Sequence, residues 1–145
     1  MMVRRALVLA REGVNADVVF LSEIHDGQEL IHSTTGDGSM PRIHRGASFA
    51  LEDTICQRML EGRIAQLVPD VGAEPQLGDL PLEGVGAYMG VPLTAADARV
   101  FVLCCLAREA RPDLGEGDLR FLEGLAASLR SVIDTEADVL SSPYG

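Results

Sequence analysis

The segment from Gly86 to Ala107 constrains the fold most strongly, because it places two apolar runs on either side of a short polar connection. The second run, Val100 to Ala107, is eight apolar residues rich in β-branched and aromatic types, bounded by Arg99 and Arg108. It is too short to cross a membrane, so we expect a strand that is buried on both faces. The first run, Ala87 to Leu93, is joined to it by a short connection, which favours antiparallel pairing in a hairpin.

The charge of the chain argues against two classes of partner. The chain has 145 residues, and its 12 basic residues are all arginine, against 22 acidic residues, for a net charge of −10. Such a charge repels phosphate backbones and anionic membrane surfaces, so we expect neither nucleic acid nor a membrane as a partner. The length suits a single domain, predicted over residues 1–137, followed by a flexible tail over residues 138–145.

The three cysteines indicate a reducing compartment. Cys56, Cys104 and Cys105 lie inside apolar segments, without the spacing of a zinc site or a disulfide framework. Cys104 and Cys105 are neighbours on a predicted strand, so their side chains should point to opposite faces of the sheet. The sequence shows neither a signal peptide nor a membrane anchor, and we expect a cytoplasmic location with no metal site.

The remaining elements do not alternate as a parallel βαβ chain would. Helices are predicted over residues 2–13, 51–61 and 116–136, a first hairpin over 17–34 and a third strand over 64–68. Two long loops rich in glycine and proline cover residues 35–46 and 69–86. This order predicts an α+β fold with a central antiparallel sheet.

The last helix carries an apolar stripe at heptad spacing, with further apolar residues that widen it. A stripe of this kind can bury itself against a second copy of the chain, and we predict a homodimer through this helix. The alternative is that the helix covers the sheet inside one monomer. The residues of the stripe are Leu119, Leu122, Ala126, Leu129 and Ile133.

Taken together, the segments resemble the GAF domains, small sensory modules of bacterial signalling proteins that are related in shape to PAS domains. The resemblance covers about residues 3–136 and depends on the order and spacing of several segments. These are ADVVFLSEI, GASFALEDTICQRMLEGR, LVPDV, GVGAYMGVPL, VFVLCCLA and LGEGDLRFLEGLAASL. The chain departs from the common pattern at Ala95 to Ala98, where it has AADA and the family usually has an Asp-Gly turn.

The resemblance implies a sheet of five or six strands with the terminal helices on one face. The short helix and the two long loops would cover the other face and enclose a pocket. Members of the family bind cyclic nucleotides, haem, bilins or small metabolites, and many only dimerise. The resemblance therefore implies a non-catalytic regulatory domain that senses a small molecule or dimerises, and that acts on an output domain. It identifies no cofactor.

Five side chains are candidate ligand contacts. Arg42 and His44 belong to the sequence RIHR in the first loop, a compact group of cations suited to phosphate or carboxylate. His32 shares the face of Leu30 on its strand and can line a pocket. Asp70 and Tyr88 stand where the second loop leaves one strand and enters the next. Each has a structural alternative, such as a solvated loop residue or a packed core side chain.

Two further functions remain as alternatives. The free methionine sulfoxide reductases share this fold and use a reactive cysteine in the second loop, but here residues 71–85 contain none. A haem or bilin sensor is the other alternative. The Cys-His pair and the pocket motif of the bilin-binding members are absent from this sequence, and so is the lysine that the known cyclic-nucleotide signature requires.

Overall fold

The computed structural model of the chain describes residues 2–135, so the predicted tail, residues 138–145, lies outside the described residues. The helices are α1 (Met2–Val14), α2 (Ile55–Leu60) and α3 (Glu116–Thr135). The strands are β1 (Val18–His25), β2 (Gln28–Gly36), β3 (Ser48–Ala50), β4 (Leu67–Val68), β5 (Ala87–Thr94) and β6 (Val100–Ala107). Short 3₁₀ turns add Leu51–Asp53, Val71–Ala73 and Pro75–Leu77.

The six strands form one antiparallel sheet in the order β3-β2-β1-β6-β5-β4. The predicted hairpin of β5 and β6 is present, and β6 lies at the centre between β1 and β5. The first hairpin turns at Asp26 and Gly27, both with positive φ, and this conformation matches the twist of the strands on either side. The α+β fold with a central antiparallel sheet is therefore confirmed.

Each face of the sheet carries its own apolar core. Helices α1 and α3 cover one face, which we call the helix layer, and Leu7, Leu103 and Leu129 are buried there. Helix α2 and the two long loops cover the other face, which we call the loop layer. Cys104 belongs to the loop layer and Cys105 to the helix layer, as predicted from their adjacency on one strand.

The heptad stripe of α3 packs inside the monomer. Leu122, Ala126, Leu129 and Ile133 are at most 3% exposed and lie in the core between α3 and the sheet, and Leu119 is partly buried against the same core. The prediction that these side chains face a second chain is corrected here. The broad apolar face of the sheet needs a cover, and the longest helix supplies it.

Helix α2 is shorter than the predicted helix over residues 51–61. Thr54 is extended, with φ of −110° and ψ of 150°, and separates the 3₁₀ turn from α2. Its Oγ1 accepts a hydrogen bond from the Gln57 amide at 3.2 Å and donates one to the Leu51 carbonyl at 2.7 Å. Thr54 is thus the N-cap of α2, because its hydroxyl satisfies an amide that the helix leaves free. Strand β3 was not predicted, and β4 is shorter than the predicted strand.

The turn between β5 and β6 forms without glycine. Ala98 adopts a left-handed conformation, with φ of 72°. The Asp97 carboxylate accepts hydrogen bonds from the Arg99 amide at 3.2 Å and from Nε of Arg99 at 2.8 Å. The Asp134 carboxylate on α3 also accepts a hydrogen bond from the Ala96 amide at 2.7 Å. These bonds hold the AADA turn in place of the expected Asp-Gly pair.

Candidate ligand-binding cavity

A cavity of about 480 Å³ lies between the sheet and the loop layer. Its size falls within the range of about 300–1,000 Å³ that small-molecule sites occupy. Most of its wall is apolar, and the polar groups that reach it are few. Apolar side chains in the wall include Phe20, Ile31, Phe49, Ile55, Val85 and Leu106.

The register of the first hairpin decides which residues of β2 face the cavity. The two-residue turn pairs Ile24 with Glu29, so the side chains of this pair share a face. A β-bulge at His32, between the pairs Ser22–Ile31 and Leu21–Ser33, adds one residue to β2. Glu29 and Ile31 lie before this bulge, and the hairpin register points both into the loop layer, so β2 places a carboxyl group in the cavity wall.

Tyr88 lies flat against the sheet on the cavity side. A Cβ atom added at Gly90 would lie 2.0 Å from the Tyr88 hydroxyl oxygen, so the ring occupies space that only glycine leaves open. The phenol donates a hydrogen bond to Sγ of Cys56 at 3.5 Å. Burial, followed by the proximity of Cys56 and Cys104, raises the pKa of Tyr88 well above its ordinary value. The hydroxyl is therefore neutral and connects β5 to α2.

Glu29 is the buried acid of the cavity, with 2% of its surface exposed. The Ser22 hydroxyl donates a hydrogen bond of 2.7 Å to its Oε2. Burial raises the pKa of this carboxyl above its ordinary value, and the hydrogen bond from Ser22 and the polar neighbours Cys56 and Thr54 lower it by less. The groups that stabilise the carboxylate are thus neutral hydroxyls and a thiol.

The surroundings of the two thiols of the loop layer disfavour their ionisation. The hydrogen bond with Cys104 lowers the pKa of Cys56, but burial and the neighbouring Glu29 outweigh it, and the net shift is upward. Burial raises the pKa of Cys104 well above its ordinary value. Because the thiolate is the reactive form of cysteine, both side chains act as packing groups with weak polarity.

Arg42 is the one predicted cation that reaches the cavity. It lies at the rim, with its guanidinium carbon 5.9 Å from the centre of the Phe49 ring. This distance permits a cation–π interaction that holds the arginine over the wall. Of the five predicted ligand contacts, the cavity brings together Arg42 and Tyr88.

The other three predicted contacts lie elsewhere. His32 shares the face of Leu30, as expected, but that face belongs to the helix layer, where its Nε2 lies 2.7 Å from Oε1 of Glu23 and its ring contacts Phe101. His44 is exposed, with Nδ1 3.1 Å from the carbonyl oxygen of Arg45. Asp70 is exposed before the 3₁₀ turn at Val71 and does not line the cavity.

An arginine fixes the second long loop over the cavity. Arg58 of α2 is 7% exposed, and its Nη1 and Nη2 donate to the two carboxylate oxygens of Asp79 at 3.0 Å each. Nη1 also donates to the carbonyl of Gln76. This planar, two-bonded arrangement is specific to arginine. It anchors the loop just before Pro81–Val85, which forms one wall of the cavity.

The main residue missed by the sequence prediction is Glu29. The Asp26-Gly27 turn, read as a two-residue hairpin, places Glu29 opposite Ile24 and therefore on an inward face. An acidic residue on the inward face of the strand, two residues before Ile31, is the sequence signal that could have identified Glu29 as a site residue. Thr54 and Cys56 had no comparable signal, because their positions depend on where α2 begins and how it packs on the sheet.

Comparison with known proteins agrees with this architecture. The family model described as GAF domain matches residues 2–134. This chain therefore belongs to the GAF domain family. No curated protein sequence matches it. Among residues 2–135, no helix is both long and apolar enough to cross a membrane.

Solved structures share the fold at low sequence identity. The GAF domain of an Acinetobacter phosphoenolpyruvate-protein phosphotransferase is 18% identical, with a TM-score of 0.73, over 94% of this chain and 82% of that one. The chromophore-binding domain of bacteriophytochrome RpBphP3 from R. palustris is 14% identical, with a TM-score of 0.73, over 95% of this chain and 56% of that one. A type II free methionine-R-sulfoxide reductase from Thermoplasma acidophilum is 13% identical, with a TM-score of 0.69, over 90% and 88%.

Proposed function

We propose that this domain is a non-catalytic regulatory module of a bacterial signalling protein, and that it binds a small molecule in the cavity of the loop layer. The observation that carries the proposal is the cavity itself, about 480 Å³ in volume, with an apolar wall and a few polar groups. This composition is typical of sites that bury most of a small ligand and orient it with a few hydrogen bonds.

The chemistry of the cysteines argues against a redox enzyme. The free methionine-R-sulfoxide reductase named above has the same fold, which makes this alternative worth testing. A nucleophilic cysteine needs an exposed, electropositive setting that favours the thiolate. Here burial keeps Cys56 and Cys104 protonated and raises the pKa of Cys105 to about 12. We expect no turnover of free methionine sulfoxide with thioredoxin and NADPH, and measurable turnover would contradict the non-catalytic proposal.

The cavity can be tested by filling it. Val85 lines the cavity, whereas Leu80 of the same loop packs on the loop-layer core and does not line it. The domain and the variants Val85→Phe and Leu80→Phe are incubated with a bacterial metabolite extract and examined by native mass spectrometry. We expect one saturable adduct on the wild type and on Leu80→Phe, and its loss from Val85→Phe. Absence of an adduct from all three proteins would contradict small-molecule binding.

A visible absorption spectrum of protein purified from a bacterial host tests haem and bilin binding. The bacteriophytochrome domain of similar fold is described as chromophore-binding. In this chain the cysteine sulfur atoms at the cavity are buried, which disfavours a thioether bond to a bilin. We expect a featureless trace, and a Soret or bilin band would make the chromophore alternative the correct one.

We also propose that the domain forms a homodimer, now through the outer edge of its helix layer. Leu9 and Phe121 are 45% and 43% exposed. Phe121 packs over Gly13, one helical turn from Leu9 on α1, so the two side chains form one apolar patch. Light scattering after size exclusion should give a dimer that Phe121→Glu disrupts. Ala127→Glu, at an exposed position off the Phe121 edge of α3, is the control. A monomeric wild type would refute this part.

Signalling would pass through the same helices to an output domain. The Acinetobacter structure is a GAF domain within a larger protein, which supports such an arrangement. Helices α1 and α3 lie on one face of the sheet, and a small shift of packed helices is a common way to transmit binding. Three buried free cysteines suit the reducing cytoplasm, where we place the protein.

A further inference from the structure

The carboxyl group of Glu29 is an unusual component for the wall of an apolar cavity. It is 2% exposed, and the Ser22 hydroxyl donates to one of its oxygens at 2.7 Å. Thr54 and Cys56 are its other polar neighbours. Hydroxyls and a thiol cannot neutralise a carboxylate, and a buried charge without an opposite charge costs several kcal/mol. The ionised carboxyl therefore gains from any cation that enters the cavity.

The charge around the cavity favours the same type of ligand. Glu29, Asp53 and Glu83 are the acids of the lining, and Arg42 at the rim is its one base. The chain as a whole has a net charge of −10. A negative surface around an opening raises the local concentration of cations and lowers that of anions. An anionic ligand would have to approach against this field.

The rest of the cavity wall is apolar and favours a ligand with an apolar body. Ile31 lies two residues from Glu29 on β2, Phe49 lies directly opposite it on β3, and Phe20 lines the wall from β1. Ile55 and Val85 close the space from α2 and from the second loop. A flat ring is the shape that aromatic and branched side chains accommodate well.

We infer that the ligand of this cavity is an organic cation, an arylalkyl amine or a related compound, whose ammonium group pairs with Glu29 while its apolar body contacts Ile31 and Phe49. The inference rests on the proposed function, because it names the ligand class of the same cavity. The ammonium would complete the hydrogen bonds of the carboxylate that Ser22 leaves unfilled. Salt bridges of this kind depend on both partners being charged.

Protonation of Glu29 should oppose binding. The titratable groups that face Glu29 are Cys56 from α2, Tyr88 from β5 and Cys104 from β6, and burial keeps all three neutral. Arg42, Asp53 and Glu83 at the rim complete the charged set. Glu29 is the buried acid among them, so amine binding should weaken as the pH falls, and at a pH where Glu29 is partly protonated it should release a proton from the carboxyl.

Three probes share a phenyl ring and differ in charge, so they separate the effect of charge from that of shape. They are 2-phenylethylamine, 2-phenylethanol and 3-phenylpropionate. Their affinities for the wild-type domain are measured by ligand-observed NMR and by calorimetry in two buffers of different ionisation enthalpy. We expect the amine to bind about tenfold or more tightly than the alcohol, as a hydrogen bond to a charged group allows. The acid should bind weakest, and proton release should accompany binding of the amine.

Two variants test the role of Glu29. Glu29→Gln keeps an acceptor for the Ser22 hydroxyl and removes the charge, so the amine should lose its advantage in affinity over the alcohol. Glu83→Gln removes a rim charge and should have a smaller effect. Circular dichroism confirms that both variants are folded.

The outcomes distinguish the two proposals. Equal binding of amine and alcohol, tighter binding of the acid, or an unchanged amine affinity in Glu29→Gln would overturn the cation inference and leave the cavity as a small-molecule site. Absence of amine binding at millimolar concentration would also overturn it. If the cavity binds no small molecule at all, the mass-spectrometry experiment above will show this separately, by the absence of any adduct.

Discussion

Leu129 tests whether the stripe of α3 is the core of one monomer or the seam of a dimer. It is 1% exposed and belongs to the core between α3 and the sheet, whereas Phe121, on the outer edge of the same helix, is 43% exposed. Replacing Leu129 by alanine removes three carbon atoms from this core. If the stripe packs within the monomer, the loss of stability should not depend on protein concentration.

The expected magnitude follows from burial. Three buried carbon groups at about 0.8 kcal/mol each give about 2.4 kcal/mol of lost transfer free energy. The surrounding side chains relax only partly and leave a residual cavity of about 40 Å³. At about 24 cal/mol per Å³, this cavity adds about 1 kcal/mol to the loss of stability. Leu129→Ala should therefore lower the free energy of unfolding by about 3–4 kcal/mol. For a chain of this length that corresponds to a fall in Tm of about 8–14 °C.

The assay is urea unfolding followed by circular dichroism at two protein concentrations well apart. Phe121→Ala is the matched variant, and its loss should be about 1 kcal/mol, because much of the ring remains in solvent in the native monomer. The reasoning would be refuted if Leu129→Ala cost less than about 1 kcal/mol. It would also be refuted if its effect vanished on dilution while that of Phe121→Ala grew.

Three further changes have defined outcomes. Ala98→Gly should raise the free energy of unfolding by about 0.5–1 kcal/mol in urea titrations, because a left-handed φ of 72° strains an alanine more than a glycine; a loss of stability would contradict the turn geometry. Arg58→Ala should speed amide hydrogen exchange several-fold in residues 76–85, and an unchanged rate there would show that the contact with Asp79 does not hold the loop. Burial raises the pKa of Glu29 above its ordinary value of 4.5, so the folded state retains a proton that the unfolded chain releases. The free energy of unfolding of the wild type should therefore fall relative to that of Glu29→Gln as the pH rises above 4.5. If the difference between the two proteins stays constant with pH, the pKa of Glu29 is not raised by burial.

Much of the fold could be predicted because its signals are local. The bounds of β6 match the prediction, because an apolar run of this length between two arginines favours a buried strand. Helix α1 and the first hairpin were likewise predicted, over residues 2–13 and 17–34. The heptad stripe, by contrast, permits two partners, because a helix that covers a sheet and one that pairs with another chain need the same apolar spacing.

The candidate site was harder to predict because its geometry is non-local. Arg42 and Tyr88 line the cavity, but the face that His32 shares with Leu30 is the one covered by the helix layer. No short-range pattern shows which layer covers that face. Glu29 became part of the site through three separate features, namely the hairpin register, the start of α2 at Thr54 and the packing of the second loop.

The short strands at the two rims of the sheet have a consequence for the behaviour of the protein in a crowded solution. β3 has three residues and β4 has two, and beyond β4 the exposed edge of β5 carries Pro92, which has no amide hydrogen to donate. Long, flat sheet edges recruit strands from other molecules and so start aggregates. Here a newly arriving strand finds three residues at β3, two at β4 and no amide hydrogen at Pro92. The sheet is therefore protected against edge-to-edge polymerisation by the brevity of its outer strands.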